Sequence, residues 1–252
     1  MKSLRILSIV LALVLTSCAS KKDVVYFQNA SEFETLVKKN VFVPKFKVDD
    51  ILGIYVSTLD VEASAPFNLF RGTTQGSGVP EQVDYLVDKD GNIDFPVLGK
   101  VKVEGLSPEE LRVVLQEKLN PYLKDPIINI RLKNFTISVV GEVNRPGTYV
   151  VNGEQITILE AIGLAGDVTI KGKRSNILVI RDFNGTKVIN RIDLTTKNAL
   201  NSPVYYLTQN DVVYVEPNRS AITSSALDNR ATIAVSIASV LITSTVLLIT
   251  RN

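Results

Sequence analysis

The residue types that carry most enzyme and metal chemistry are scarce in this chain. Its 252 residues include no His and a single Cys, Cys18. The lack of His excludes Ser–His and Cys–His nucleophilic catalysis and any His-ligated metal. One Cys excludes internal disulfides and thiolate clusters. The adjacent acids in Ser107-Pro108-Glu109-Glu110 suit a helix start better than an acid–base pair, so we predict a protein that is not an enzyme and uses no metal or cofactor.

The charge balance argues against nucleic acid as a partner. Lys2 and Arg5 precede Cys18, so the chain after this Cys carries 26 basic and 26 acidic residues. Proteins that bind nucleic acid usually concentrate an excess of cations to neutralise phosphates. A neutral chain offers no such excess.

The first residues have the pattern of a secretory signal. The basic residues Lys2 and Arg5 precede an apolar run at 6–15, which is too short to span a membrane as a mature helix. The ending Leu15-Thr16-Ser17-Cys18 resembles a lipobox, in which Cys18 is diacylated and becomes the mature N-terminus. Several acyl chains anchor a protein durably, and the non-acidic Ala19 is compatible with outer-membrane sorting. The alternative is an ordinary signal with an incidental Cys.

Residues 231–250 form an uncharged stretch of a length suited to a membrane. At about 1.5 Å per residue a helix here spans about 30 Å, the thickness of one hydrocarbon core. On a helical wheel the small hydroxyl residues fall near one line and aliphatic residues lie opposite. One reading makes the hydroxyl side face a lumen and the other side face lipid, whereas a second reading makes the helix a plain anchor whose small residues pack. The predicted lumen-facing residues are Thr232, Ser236, Ser239, Thr243 and Thr250, and the predicted lipid-facing residues are Ile237, Leu241 and Leu248.

The chain between 45 and 133 reads as a first α+β unit. Ser107-Pro108-Glu109-Glu110 predicts a helix with a capping box. Asp90-Gly91 predicts a hairpin, and Ile127–Leu132 alternates apolar and polar residues as a half-buried strand does. The predicted elements are a strand at 51–57, a long loop at 60–82, paired strands at 85–87 and 93–97, a helix after Ser107 and a strand at 127–132.

A second α+β unit follows. Thr157-Ile158-Leu159-Glu160 predicts another capping box, for a helix that ends at Gly166, and Asn184-Gly185 predicts a hairpin. Strands are predicted at 135–140, 177–181, 187–194 and 212–215. This order indicates a small sheet packed on one helix, as in a β-grasp.

Two further groups of residues have open interpretations. Phe67 and Phe70 lie in the predicted loop, where they could gate an entrance or fold onto the core. Lys171, Lys173 and Arg174 cluster after the second helix. We expect them to be solvated, with a contact to another subunit or to a polymer as the alternative.

Several ordered motifs carry a resemblance to one family. Segments of the first unit are similar to the polysaccharide export (PES) domain, and segments of the second to the SLBB domain, a β-grasp module. The segments are Val87–Gly99, Val103–Leu111 and Tyr122–Pro126 in the first unit, and Val140–Tyr149, Ile158–Asp167 and Asn210–Pro217 in the second. Together they resemble the Wza-type outer-membrane lipoproteins that export capsule or exopolysaccharide.

The resemblance and the residue patterns together give a complete domain plan of α+β class. We expect a lipoprotein signal peptide at 1–17, a lipidated lead-in at 18–44, a PES domain at 45–133, an SLBB β-grasp domain at 134–218, a linker at 219–230 and a transmembrane helix at 231–250. The soluble domains would lie in the periplasm.

The resemblance also implies an assembly and partners. Relatives form cyclic homo-oligomers, eight-fold in the best-known cases, whose soluble domains stack as rings and whose terminal helices form an α-barrel through the outer membrane. An inner-membrane polysaccharide copolymerase, often a tyrosine kinase, docks below, and polysaccharide is the cargo. Two alternatives remain: a lipoprotein adaptor that binds a soluble ligand or polysaccharide, with the last helix a mere anchor, or a polysaccharide-modifying enzyme.

Overall fold

The structure, a computed structural model, describes residues 24–31, 43–72, 81–183, 185–226, 233–240 and 243–244. Its buried side chains form two clusters that coincide with two successive parts of the chain. One runs from Phe46 to Ile130 and the other from Phe135 to Val215. Leu132 packs against both clusters and therefore marks the joint between two domains.

The first domain is built on a three-stranded antiparallel sheet of order β4-β1-β7. Side chains on one face of β1 and β7 are buried against a helix, α2, while those on the other face are exposed. The elements are β1 (Ile51–Ser57), α1 (Val61–Ser64), β2 (Phe70–Arg71), β3 (Glu81–Gln82), β4 (Tyr85–Leu86), β5 (Asn92–Phe95), β6 (Gly99–Lys102), α2 (Pro108–Leu119) and β7 (Ile127–Leu132). The predicted strands at 51–57 and 127–132 are confirmed.

Helix α2 begins where the capping box predicts. The Ser107 hydroxyl accepts a hydrogen bond from the Glu110 N–H at 3.2 Å, and the Glu110 carboxylate accepts one from the Ser107 N–H at 2.7 Å. Leu111, Leu115 and Leu119 recur every four residues and are completely buried. Each such burial contributes about 2 kcal/mol, so the apolar stripe holds the helix to the sheet more strongly than its caps do.

The hairpin predicted around Asp90-Gly91 is only half correct. The turn is present, because the Asp88 carboxylate accepts hydrogen bonds from the Asp90 and Asn92 N–H groups and Gly91 has a φ of 75°. The flanking strands, however, do not pair with each other. Strand β4 pairs with β1, and β5 pairs with β6. Alternation of side chains shows which face is buried and does not identify the partner strand.

The predicted long loop at 60–82 is wrong for its described part. The Asp60 carboxylate accepts hydrogen bonds from the Glu62 and Ala63 N–H groups, and this cap starts α1. A 3₁₀ turn at Ala65–Phe67 follows, and β2 pairs with β3. The buried Asn68 holds the segment to β1 by bonding both the N–H and the carbonyl of Val56.

The second domain is a five-stranded sheet of order β12-β11-β14-β8-β9. Strands β14 and β8 are parallel and the other neighbouring pairs are antiparallel. Helix α3 begins with the predicted capping box of Thr157 and Glu160. The elements are β8 (Thr136–Gly141), β9 (Gly147–Val150), β10 (Ile156–Thr157), α3 (Ile158–Leu164), β11 (Gly172–Phe183), β12 (Thr186–Ile192), β13 (Tyr206–Leu207), β14 (Val212–Pro217) and α4 (Arg219–Ala226). The predicted small sheet with one packed helix is confirmed.

Beyond α4 the described chain is helical at 233–240 and 243–244, with exposed side chains. Across the described residues, no helix combines the length and the apolar character that crossing a bilayer requires. The remainder of the predicted span 231–250 lies outside the described residues, as do Cys18 and the signal at 1–17.

Gly141 at the end of β8 tests how tightly the second sheet is built. Its φ is 92°, and an added Cβ would lie 2.1 Å from the Val215 carbonyl oxygen, which already accepts the Glu142 N–H. Gly185, with a φ of 79° and no atom within 4 Å of such a Cβ, is the matched control. We expect Gly185→Ala to cost about 1 kcal/mol through backbone strain alone and Gly141→Ala to cost at least about 2 kcal/mol more, measured by urea unfolding. Equal losses would contradict the close approach of β8 and β14.

Candidate functional site at the domain joint and the chain ends

Two amide side chains fix the linker between the domains. The Asn134 side chain accepts a hydrogen bond from the Ile51 N–H and donates one to the Asp49 carbonyl, both at 2.9 Å. The Gln209 side chain accepts one from the Thr136 N–H at 2.8 Å and donates one to the Asn134 carbonyl at 2.6 Å. Each side-chain amide bonds one backbone N–H and one backbone carbonyl, which the linker does not pair through a strand ladder. Together they hold the end of β7 and the start of β8 in one geometry.

A buried carboxylate, Asp50, lies beside this joint. Its side chain accepts a hydrogen bond from the Lys47 N–H at 2.9 Å, and the residue is 2% exposed. Burial raises the pKa of Asp50 to about 6, because desolvation disfavours the charged form. A cavity of about 230 Å³ adjoins it, lined also by Arg181 and Gln209 from the second domain.

The second domain contributes a buried ion pair to the same region. The Arg181 guanidinium bonds both carboxylate oxygens of Asp211 at 2.7 to 3.1 Å and also donates to the Tyr206 carbonyl. Asp211 is completely buried and accepts further bonds from the Thr208 N–H and hydroxyl. This network ties β11 to the turn before β14. Its charges are satisfied internally, so it is a structural element and not a vacant ligand site.

An N-terminal strap, residues 24–31, docks on the second domain. The Phe27 N–H donates to the Leu194 carbonyl at 3.2 Å, and the Gln28 N–H donates to the Thr195 carbonyl at 2.7 Å. The Asn29 side chain accepts the Lys197 N–H at 2.7 Å. These bonds join the strap to residues that lie more than 160 positions later in the chain.

The strap is locked by one aromatic side chain. The Tyr26 hydroxyl donates to the Asp167 carboxylate at 2.5 Å, and the Arg174 guanidinium lies 5.1 Å from the centre of the Tyr26 ring. Burial, and then the bond to Asp167, raise the pKa of Tyr26 to about 12, so the phenol stays protonated. Arg174 is 5% exposed and also bonds the Val168 and Thr169 carbonyls. The interaction is a cation–π contact of a desolvated Arg.

The C-terminal helix leaves from the same domain. The Asn218 N–H donates to the Lys171 carbonyl at 2.7 Å, and the Asn218 side chain donates to the Ile170 carbonyl at 2.9 Å. The Asn218 carboxamide oxygen also accepts the Ala221 N–H at 3.0 Å, within the first turn of α4. Both the strap and α4 therefore attach to the second domain, on either side of the segment 167–174.

The sequence-predicted residues have mixed outcomes. Ser236, Ser239, Thr243 and Ile237 are described and exposed. Cys18 and the other predicted positions lie outside the described residues; those positions are Thr232, Thr250, Leu241 and Leu248. The facing of these side chains and the lipidation of Cys18 stay predictions.

Two expectations about individual side chains are resolved by burial. Phe67 is 4% exposed and packs 5.9 Å from the Tyr122 ring, so it belongs to the core, whereas Phe70 is half exposed. The expectation that Arg174 is solvated is wrong, because the strap covers it. Lys171 is exposed and Lys173 is half-buried.

Sequence reasoning missed the residues that organise this region. Asn134 and Gln209 are amides in polar segments, and nothing in their neighbourhoods distinguishes them from surface residues. Tyr26 and Phe27 gave a weak signal, since two adjacent aromatic residues are unusual in an otherwise polar lead-in.

Comparison with known proteins agrees with the two-domain structure. The family described as polysaccharide biosynthesis/export protein matches residues 44–133, and the SLBB domain matches residues 136–215. The two matches cover about two thirds of the chain. The chain therefore contains a domain of the polysaccharide biosynthesis/export family, followed by an SLBB domain. The resemblance of its motifs to the Wza-type export proteins is thereby confirmed, and we refer to the two domains as the export domain and the SLBB domain.

Two relatives share the name EPS I polysaccharide export outer membrane protein EpsA. The protein of that name from Ralstonia solanacearum is 28% identical over 149 residues, which is 58% of this chain and 39% of the relative. The protein from Ralstonia nicotianae (strain ATCC BAA-1114 / GMI1000) is 32% identical over 108 residues, or 41% of this chain and 28% of the relative. The matched part of this chain therefore spans well under half the length of either relative.

The buried Asp50 predicts a specific pH dependence of stability. Its pKa in the folded protein, about 6, lies above the ordinary value of 3.8. The folded state therefore binds this proton more tightly than the unfolded state does, and the free energy of unfolding should fall as the pH rises from about 4 through about 6. Asp50→Asn keeps an acceptor for the Lys47 N–H and should remove this decline, as measured by urea unfolding between pH 4 and 7.

Asp88→Asn is the control, because the pKa of Asp88 is shifted in the opposite direction to that of Asp50. Hydrogen bonds from backbone N–H groups, first that of Asn92, lower the pKa of Asp88. The ionised Asp88 carboxylate therefore stabilises the folded protein at pH values above its unfolded pKa of about 3.8. The variant should therefore be less stable by a constant amount between pH 5 and 7. An Asp50→Asn variant that retains the wild-type decline would contradict the burial argument.

Proposed function

We propose that this chain is one subunit of an outer-membrane conduit that exports capsular or extracellular polysaccharide. The observation that carries this proposal is the export domain followed directly by an SLBB domain. Two relatives named as EPS I polysaccharide export outer membrane proteins support the same cargo and the same membrane. A conduit moves its cargo passively, so the proposed activity needs no catalytic residue.

The proposed assembly is a ring of identical copies, with eight copies suggested by the resemblance to Wza-type proteins. Support comes from the outer face of the export-domain sheet, which carries apolar side chains that no described residue covers. Ile127 is 70% exposed, Leu86 59% and Tyr55 43%. A second copy of the chain would bury these exposed apolar side chains.

The proposed attachment to the membrane uses both chain ends. Cys18, diacylated as the lipobox predicts, lies six residues before Val24 of the strap. Six residues span at most about 21 Å, so the acyl chains would stay near the SLBB domain. Helix α4 leaves from that domain too, which supports an arrangement with the SLBB domain next to the outer membrane and the export domain deeper in the periplasm.

The proposed pore is a barrel of C-terminal helices, one from each copy. Barrels of helices satisfy every backbone group internally, as a bilayer requires. The Ser239 hydroxyl donates to the Ser236 carbonyl and the Thr243 hydroxyl to the Ser239 carbonyl, both at 2.8 Å. Because these hydroxyls donate their hydrogens to carbonyls of the same helix, they offer only acceptor lone pairs to other molecules. Such a lining would hold a sugar polymer weakly and let it leave.

The proposed partner on the inner side is an inner-membrane polysaccharide copolymerase, often a tyrosine kinase in the resembling systems. This chain carries one SLBB domain, so its periplasmic rings are few. The partner would therefore bridge most of the distance between the two membranes.

Imaging of the purified full-length protein in mild detergent tests the assembly. We expect closed rings viewed down a symmetry axis, with a mass many times that of one chain. Single copies in the same detergent would contradict the conduit and favour the alternative of a lipoprotein adaptor whose last helix is only an anchor.

Substitution on the two predicted faces of the last helix tests the pore. We expect Ser236→Asp and Thr243→Asp to lower surface polysaccharide while leaving rings intact, since a lumen tolerates charge. Ile237→Asp and Leu241→Asp should instead reduce membrane insertion, because an acid facing lipid costs about 2.5–3.5 kcal/mol at the helix centre. Surface polysaccharide and membrane-fraction protein are measured for all four variants. Equal behaviour of the two pairs would show that the face assignment is wrong.

A further inference from the structure

A second cavity at the domain joint, which shares Pro44, Lys45 and Leu132 with the cavity beside Asp50, has the features of a ligand site. It encloses about 330 Å³ between the β7 edge, the segment Pro44–Phe46 and the loop Val151–Glu154. This volume is at the lower end of the usual range for small-molecule sites. Both domains contribute to its walls, so a ligand here would touch the export domain and the SLBB domain at once.

The walls of this groove carry an excess of positive charge. Lys45, Arg131 and Lys133 line it, although the Lys133 side chain lies over Gly53 of β1 beside Asp84. Glu154 is the one acid among its lining residues. Within the described ranges none of the three cations has a carboxylate partner within 4.0 Å. Lys45 helps to lower the pKa of Glu110, but that carboxylate already accepts the Ser107 N–H in the capping box. Unpaired cations around a concave surface attract anions.

The floor of the groove is the free edge of a sheet. Among the described strands, β7 pairs with β1 alone, and the Lys133 N–H donates to the Ile51 carbonyl at 2.8 Å. Because antiparallel strands direct alternate residues to opposite sides, the N–H and carbonyl groups of Ile130 and Leu132 point away from β1. The Ile128 carbonyl, two residues earlier on the same side, accepts a bond from the Arg112 side chain at 3.3 Å. These two N–H groups and two carbonyls have no hydrogen-bond partner among the described residues, so the groove offers two backbone donors and two acceptors.

The length of this edge decides between two kinds of ligand. A peptide that adds a strand to a sheet uses a run of about five residues. Here the Arg112 side chain bonds the Ile128 carbonyl, and the Gln209 amide bonds the Asn134 carbonyl and the Thr136 N–H beyond Lys133. Two free residues are too few for an added strand, but they match the hydroxyl groups of one or two sugar rings.

We propose that this groove binds an anionic saccharide, with Lys45 and Arg131 contacting its carboxylate or phosphate groups and the β7 edge contacting its hydroxyls. Charge-assisted bonds from Arg and Lys supply affinity for the acid, and Phe46 and Pro108 provide apolar surface beside it. The inference rests on the proposed export function and adds to it that the subunit distinguishes acidic from neutral polymers before they enter the pore.

Binding is tested with the purified full-length protein and three probes of equal length. The probes are an oligogalacturonate of about six residues, a neutral maltooligosaccharide and an oligoglutamate peptide, each titrated by calorimetry at low and high salt. We expect the oligogalacturonate to bind, the neutral sugar to give no measurable heat, and binding to weaken with salt as a charge interaction does. No binding of the oligogalacturonate, or stronger binding of the peptide, would overturn the proposal.

A matched pair of double variants locates the site. Lys45→Gln with Arg131→Gln should weaken oligogalacturonate binding at least about tenfold. Lys89→Gln with Lys124→Gln removes two exposed lysines elsewhere on the described surface and should change binding less than about twofold. If both variants weaken oligogalacturonate binding equally, the effect comes from the total charge, and the proposed saccharide site is contradicted.

The same samples separate this inference from the proposed function. Unfolding midpoints confirm that both double variants fold, and the single Lys45→Gln variant provides a milder probe of the groove. Rings that do not bind oligogalacturonate would contradict the proposed saccharide site but not the proposed conduit. Single copies that bind it through the groove would contradict the conduit and leave the groove standing.

Discussion

The relative placement of the two domains depends on backbone hydrogen bonds supplied by side chains. Among the described residues, no strand is shared between the sheets of the two domains, so the linker has no strand with which to form a ladder. Asn134 bonds the start of β1, Gln209 bonds the linker itself, and Leu132 packs against both cores. Each hydrogen bond contributes only about 1 kcal/mol net, yet leaving its buried partner unpaired costs more. This asymmetry gives a short linker a single preferred geometry.

Two different grooves follow from that geometry. One groove contains the buried Asp50, near the internally paired Arg181 and Asp211, and the other contains cations beside the β7 edge; Lys45 lines both. The ion pair is satisfied and stabilises β11, whereas the cations have no partner in the described chain. Charges that are paired within the protein stabilise the fold, whereas charges without a partner can attract an anion.

Local signals in the sequence predicted much of the fold, and distant contacts explain the failures. The capping boxes at Ser107 and Thr157 were predictable because cap and acceptor lie three residues apart. The pairing of β4 with β1 was not, because Tyr85 and Leu52 lie far apart in the chain. Arg174 looked solvated because its aromatic partner, Tyr26, lies on a strap that no local pattern connects to it. The site at the joint combines residues from both domains, so it could be found only once the domains were placed.

The docking of the strap beside the exit of α4 has a mechanical consequence. A tensile load applied to either end of the described chain enters the molecule through the SLBB sheet, at Tyr26 on one side and at Asn218 on the other. The export domain lies off this load path. It therefore keeps its shape when the two ends of the described chain are pulled apart.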